Sequence, residues 1–206
     1  MNETGITIKK WLSHCNSWII LVNAAVFLFM DFFLPITSLQ VLIDFGGLSW
    51  YAVIREGEYY RLLTYMFLHG GFEHLVNNMI VLIFIGETVE RFLGRWKYLL
   101  IYFSTGIVAG IVSIVYNMNR GVYSLSIGAS GAGFGIIGAL ACLLAVNRGR
   151  LAGMTMPRVL FFVAISLYGG FTSQGIDNAA HVGGLIMGVV VTAIVYFLTR
   201  RRGHEG

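Results

Sequence analysis

The chain is 206 residues long, 57% hydrophobic and only 12% charged, with a mean hydropathy of +0.76. Soluble domains carry about 25% charged residues, so this composition excludes an ordinary soluble enzyme and predicts an integral membrane protein folded as one unit, residues 1–206. The net charge of +4 does not mark a nucleic-acid binder, because basic residues of a membrane protein sit in its loops and set topology.

Six apolar segments predict six helical spans, at about 17–34, 74–93, 96–117, 129–147, 158–173 and 179–199. The first and fifth are short for a hydrocarbon core of about 30 Å, which takes about 20 helical residues, and tilt or local thinning would accommodate them. The first is followed by Asp31 and Pro35 with no small-residue cleavage site, which reads as a retained span and not a signal peptide. Between spans one and two runs a segment of mixed polarity with the interface-type residues Trp50, Tyr51, Tyr59 and Tyr60. It predicts a loop lying on or partly in the outer leaflet. With the N-terminus inside, eleven of the 14 Lys and Arg residues, from Lys9 to Arg202, fall on the inner side. Only Arg55, Arg61 and Arg120 fall outside, so both termini are expected to be cytoplasmic. Cys15 and Cys142 show no metal spacing and imply no disulfide framework, and Cys142 reads as packing.

Polar groups within a membrane are costly and mark function. Here they gather at the outer heads of three spans: His69, Glu73, His74, Asn77 and Asn78 at span two, Ser124, Ser126 and Ser130 at span four, and Asp177, Asn178 and His181 at span six. Ser130 lies 18 residues before Arg148, His181 lies 19 before Arg200, and His74 lies 17 before Arg91. At about 1.5 Å per residue, each sits about 26–28 Å above an inner basic anchor, so the three share one level near the outer surface.

A serine and a histidine at one depth can do acyl-transfer chemistry. Neutral imidazole takes the serine proton as general base and returns it to a leaving amine, while further donors stabilise the oxyanion. Ser130 at a helix head has free backbone N–H groups and the positive end of the helix dipole beside it. His74 and Asn78, four apart, share a helical face and could supply side-chain donors to the same oxyanion. Blander readings exist for each residue. Ser130 could be a small packing residue or bond back to a carbonyl. Gly131, Gly135 and Gly138, and the G-x-x-x-G pair Gly184 and Gly188, make small-residue faces for close helix approach. If helices four and six meet on them, Ser130 and His181 come together. His69 reads as a structural hydrogen-bonder in its loop. Asp177 reads as an outer-loop charge, or else as a third group orienting His181.

The stretches "GASGAGFG" around Ser130, "AHVGGLIMG" around His181, "HGGFEHLVNN" with His74 and Asn78, and "GETVER" with Glu90 occur in this order on these spans. On them the chain resembles the rhomboid intramembrane serine proteases, from about Tyr60 to Gly188. The resemblance implies an all-α membrane protein, a six-transmembrane-helix rhomboid-like bundle with a long membrane-associated loop between helices one and two. It implies a Ser–His dyad, with Ser130 as nucleophile and His181 as base. His74, Asn78 and the Ser130 backbone would form the oxyanion hole, with Gly128 allowing close backbone approach. It further implies single-span transmembrane substrates cut near the outer face, and no metal, nucleotide or other cofactor. A tryptophan–arginine pair frequent in such loops is Tyr60–Arg61 here. A tyrosine found four residues after the serine in some members is Phe134, which can stack on His181 but offers no hydroxyl. Glu90 reads as a structural carboxylate tying the inner loops. The segment "LYGGFTSQGIDN" is expected to cap or gate the site, with span five as lateral entrance, and a bare six-span chain of this kind is expected in a prokaryotic plasma membrane. Two other classes compete: a non-catalytic binder of membrane helices using the same cavity, and a small transporter or channel. Against the last, the polar residues cluster at one end and the halves show no internal repeat.

Overall fold

The computed structural model describes residues 11–34, 38–172 and 175–202, without the side chains of 199–202. Lys9, Lys10 and Pro35, and the side chains of Arg200, Arg201 and Arg202, lie outside that description. The first helix, α1 (Cys15–Phe33), is an apolar run without Gly or Pro. Its head is capped from a distant segment: the Cys15 and Asn16 backbone N–H groups donate to the two Glu90 carboxylate oxygens, each at 2.8 Å. A carboxylate at a helix N-terminus satisfies orphan donors and complements the dipole. Glu90, 4% exposed, thus ties the head of α1 to a segment 74 residues further on.

The segment after α1 folds into short helices, α2 (Leu39–Asp44), α3 (Trp50–Ile54) and α4 (Arg61–Thr64), followed by a 3₁₀ turn over Tyr65–Phe67. Arg61 is 6% exposed and organises this segment. Its Nε donates to Glu58 at 2.6 Å, and its NH1 donates to the Ile43 and Gly47 carbonyls at 2.5 and 2.8 Å. Tyr60 stays exposed, its ring 5.5 Å from the guanidinium carbon.

The next span is not one regular helix. α5 (Phe72–Val81) and α6 (Glu87–Leu93) are joined by a π-helical turn over Leu82–Gly86. A π turn widens the ladder; here the Leu82 carbonyl accepts from Asn16 Nδ2 at 2.8 Å, and Asn16 Oδ1 accepts from the Tyr98 hydroxyl at 2.6 Å. Gly86 lies against this knot, where a Cβ would press on Asn16 and Tyr98. Gly94, at φ +84°, turns the chain into α7 (Arg95–Asn119).

α8 (Ser130–Val146) is the central element, with thirteen of its 17 residues buried. A two-stranded hairpin, β1 (Arg150–Leu151) and β2 (Met154–Thr155), leads to α9 (Met156–Thr172), and α10 (Asn178–Arg202) closes the bundle. α8 packs chiefly on α10 and α7. A Cβ at Gly184 would run into the Gly131 carbonyl, one at Gly188 into the Gly135 carbonyl, and one at Gly138 into the Leu185 carbonyl. The small-residue faces of helices four and six therefore meet backbone to backbone, as membrane helices do where no hydrophobic effect drives them together.

Among the described residues, four helices are long and apolar enough to cross a membrane: α1, Phe72–Leu93, α7 and Asn178–Leu198. α8 and α9 are apolar but shorter, 17 residues each. The first span, at 19 residues, is thus not among the short ones, and the fourth is. The reason is local: residues 122–129 before Ser130 are not helical, and α8, enclosed by protein, does not have to match the bilayer. α9 is held loosely, with Val159 and Gly170 its only buried residues, and an apolar groove lined by Ile80, Val81, Phe84, Ile85, Val159 and Phe162 separates it from the second span. Large apolar side chains such as Phe32, Trp96, Phe161 and Phe171 point outward. This is the exterior of a multi-pass membrane protein.

Candidate functional site

The site is assembled by an extended segment, a buried helix head and a facing helix. Leu48 and Ser126 exchange backbone hydrogen bonds, 3.0 Å from Leu48 N–H to the Ser126 carbonyl and 2.8 Å in return. Gly128 N–H then donates to the Tyr65 carbonyl at 2.8 Å, and Tyr65 is itself pinned by its hydroxyl donating to the Gly106 carbonyl at 2.7 Å. Gly128 has φ +108°, a conformation glycine adopts without steric cost. A Cβ there would also stand 2.6 Å from His74 Nε2. Its glycine character thus admits the His74 ring, and Asn78 lies against the same spot.

The chain turns helical at Ser130, and the Ser130 Oγ and His181 Nε2 atoms lie 2.9 Å apart. Phe134, one turn into α8, stacks on the His181 ring with centroids 4.3 Å apart and planes 12° from parallel. His181 is 7% exposed and Ser130 is half-buried. With Nε2 unprotonated, the ring can accept the serine proton while Phe134 holds its plane. Asn78 spends one amide hydrogen on the His74 carbonyl, one turn back, at 3.0 Å. His74 and Asn78 both face Gly128, two residues before the nucleophile position.

One sequence reading changes. Asp177 is neither a free outer charge nor a partner of the His181 ring. Its Oδ1 accepts from the Ala180 N–H at 3.0 Å, capping α10, and its Oδ2 accepts from the Ser126 hydroxyl at 2.6 Å and from the Ser113 hydroxyl. An aspartate one residue before a helix makes its natural acceptor contact with the first-turn N–H groups, and here its second oxygen is taken by the two serine hydroxyls. His181 Nδ1 has no hydrogen-bond partner among the described residues. His69, expected to bond within its loop, is 1% exposed and lies within reach of the Phe67 backbone of that loop. Its ring also meets His74 edge-on at 5.0 Å, and burial pushes its pKa down to about 3. Glu73 and Asn77 are exposed, and Ser124 is half-buried outside the hydrogen-bonded cluster. Asn178 lies against Gly170 of α9.

Sequence reasoning missed Tyr65, Ser113 and Asn117. Ser113 and Asn117, four apart on one face of an otherwise apolar span, carried a usable signal, since polar residues in such a span face the protein interior.

Helices of membrane-crossing type, with a serine and a histidine hydrogen-bonded beneath one end of the bundle, define a helical membrane protein with an internal polar site. The family model described as "Rhomboid domain" matches residues 56–197, and the chain belongs to the rhomboid family. It is 38% identical over 157 residues to the rhomboid protease GluP of Bacillus subtilis, covering 76% of this chain and 30% of that protein. It is 34% identical over 164 residues to rhomboid-like protease 1 of Toxoplasma gondii, covering 77% and 55%. It is also 35% identical over 153 residues to inactive RHOMBOID-like protein 8 of Arabidopsis thaliana, covering 72% and 42%. The match thus spans between about a third and just over half of these relatives' own length.

Proposed function

We propose that this chain is an intramembrane serine endopeptidase, a single six-span rhomboid-like domain over residues 1–206 that uses a Ser130–His181 dyad. The observation that carries the reading is the 2.9 Å contact between Ser130 Oγ and His181 Nε2 at the heads of two helices locked together by glycines. In the reaction, Ser130 Oγ attacks the scissile carbonyl carbon as His181 Nε2 takes the hydroxyl proton. The tetrahedral oxyanion is held by His74, Asn78 and the Ser130 N–H. Collapse breaks the C–N bond and His181 passes its proton to the leaving amine. Water, deprotonated by His181, then hydrolyses the acyl-enzyme and restores the serine.

The substrates are single-span membrane proteins, cut near the outer face, in a plasma or inner membrane with both of this chain's termini cytoplasmic. The basic-residue asymmetry supports this orientation. The loose packing of α9 and the groove beside it support lateral entry between the second and fifth spans. No nucleotide, nucleic acid or metal takes part. The test is cleavage of a transmembrane reporter by wild type and Ser130→Ala, with the cut site mapped. The variant is expected to lose about ten-thousand-fold or more in rate, and equal activity overturns the reading. The relative named inactive supports a second reading, a non-catalytic helix binder. Fluorophosphonate labelling that requires both Ser130 and His181 decides between the two.

A further inference from the structure

Ser126 stands four residues before Ser130, and Asp177 stands four residues before His181. These two side chains meet. The Ser126 hydroxyl donates to Asp177 Oδ2 at 2.6 Å, and the Ser113 hydroxyl of α7 donates to the same oxygen. Ser113 Oγ in turn accepts from Asn117 Nδ2 at 3.2 Å, and Asp177 Oδ1 accepts the Ala180 N–H at 3.0 Å. One carboxylate is therefore bonded to the segment that carries the serine, to the helix that carries the histidine, and to a third helix that carries neither.

We propose that Asp177 is the positioning residue of the dyad, fixing the separation of Ser130 and His181 by holding the approach to each on the same carboxylate. The inference rests on the dyad reading above. Below the dyad, α8 and α10 are locked by glycine contacts at Gly131, Gly184, Gly135 and Gly188. Above it, residues 124–128 are non-helical and have no helix of their own to hold them. Their backbone is fastened on one side, to Leu48 and Tyr65. The Ser126 side chain fastens the other side, toward His181. Hydrogen bonds to an ionised acceptor are roughly twice as strong as neutral ones. Asp177 makes no hydrogen bond to the His181 ring, whose Nε2 faces Ser130; it holds the segments on which the two residues stand.

The test compares wild type with Asp177→Ala, Ser126→Ala, Ser113→Ala and the Ser126→Ala/Asp177→Ala double variant, in kcat, KM, fluorophosphonate labelling rate and thermal midpoint, with rates per folded enzyme. Asp177→Ala is expected to lower kcat and labelling together, about 10- to 100-fold for displacements of a few tenths to 1 Å, with KM within about twofold. Ser126→Ala and Ser113→Ala should lower kcat less, and the double variant should be no slower than Asp177→Ala, because both changes cut one contact. A lower thermal midpoint with wild-type kcat in Asp177→Ala reduces Asp177 to a helix cap and overturns the proposal. So do additive losses in the double variant. If Asp177→Ala fails to fold, Ser126→Ala alone decides by the same split of kcat from KM. Wild type that labels at Ser130 while Asp177→Ala matches it sinks this inference only. Wild type that neither labels nor cleaves sinks the dyad reading and this inference with it.

Discussion

Gly184 lies one turn below His181 on α10 and faces the carbonyl of Gly131, the residue after Ser130. Replacing it with alanine tests whether backbone contact sets the dyad distance. A methyl there meets a carbonyl oxygen, a carbonyl carbon and the Gly135 nitrogen, all backbone atoms that cannot rotate away, and ordinary contact begins at 3.4 Å. The helices must part by on the order of 1 Å, as close-packed interiors shift instead of compressing. The Ser130–His181 contact starts at 2.9 Å. A parting of that size carries it past about 3.5 Å, where it ceases to be a hydrogen bond. The stability cost should be about 1–3 kcal/mol, and kcat should fall about 100-fold. Gly188→Ala, about 6 Å deeper, should cost similar stability but less rate. Gly169→Ala, with nothing within 4 Å of the added methyl among the described residues, should change neither. The assay is reporter cleavage in proteoliposomes with thermal unfolding of the same samples. Wild-type kcat and midpoint for Gly184→Ala would refute the argument.

Glu90→Ala orphans two backbone donors at the head of α1. The expected loss is about 3 kcal/mol, from two bonds to a charged acceptor, and an unfolding shift below about 1 kcal/mol would contradict the capping role. Gly128→Ala combines positive-φ strain with a contact on His74 Nε2. It should slow fluorophosphonate labelling about tenfold or more, and an unchanged labelling rate would show that the His74 contact is dispensable. His69 is buried neutral, with its pKa held at about 3 against an unfolded value of 6.5. The unfolded chain therefore binds a proton that the folded chain does not, so stability is full above pH 6.5 and falls as pH drops toward 3. His69→Leu should flatten that part of the stability profile, measured by thermal midpoint against pH; an unchanged slope would remove His69 as its source.

Sequence alone carried a good deal. Composition marked the membrane, and the apolar runs marked every helix that the structure builds as a long segment. The spacing of Gly131, Gly135, Gly184 and Gly188 already contained the contact between helices four and six, because small residues one turn apart make a stripe whatever the partner. The level shared by Ser130 and His181 followed from counting residues to the inner basic anchors, since a helix rises at a constant rate. The start of α8 at Ser130 was legible to within one residue, but the π turn at Leu82–Gly86 was not. That turn sits where a side chain arrives from elsewhere, Asn16 donating to the Leu82 carbonyl across 66 residues.

The same limit explains Asp177 and Glu90. Their residue types announced a charge that had to be satisfied, but not by whom. Asp177 finds Ser113 across 64 residues and Glu90 finds Asn16 across 74. Periodicity reports how each segment meets its surroundings along its own axis, so the sequence by itself determined the helices, their apolar faces and the residues able to do chemistry. Which polar group meets which is settled by packing between segments far apart in the chain. Only the tertiary structure therefore decided that Asp177 holds Ser126 and Ser113 and leaves the His181 ring to Ser130.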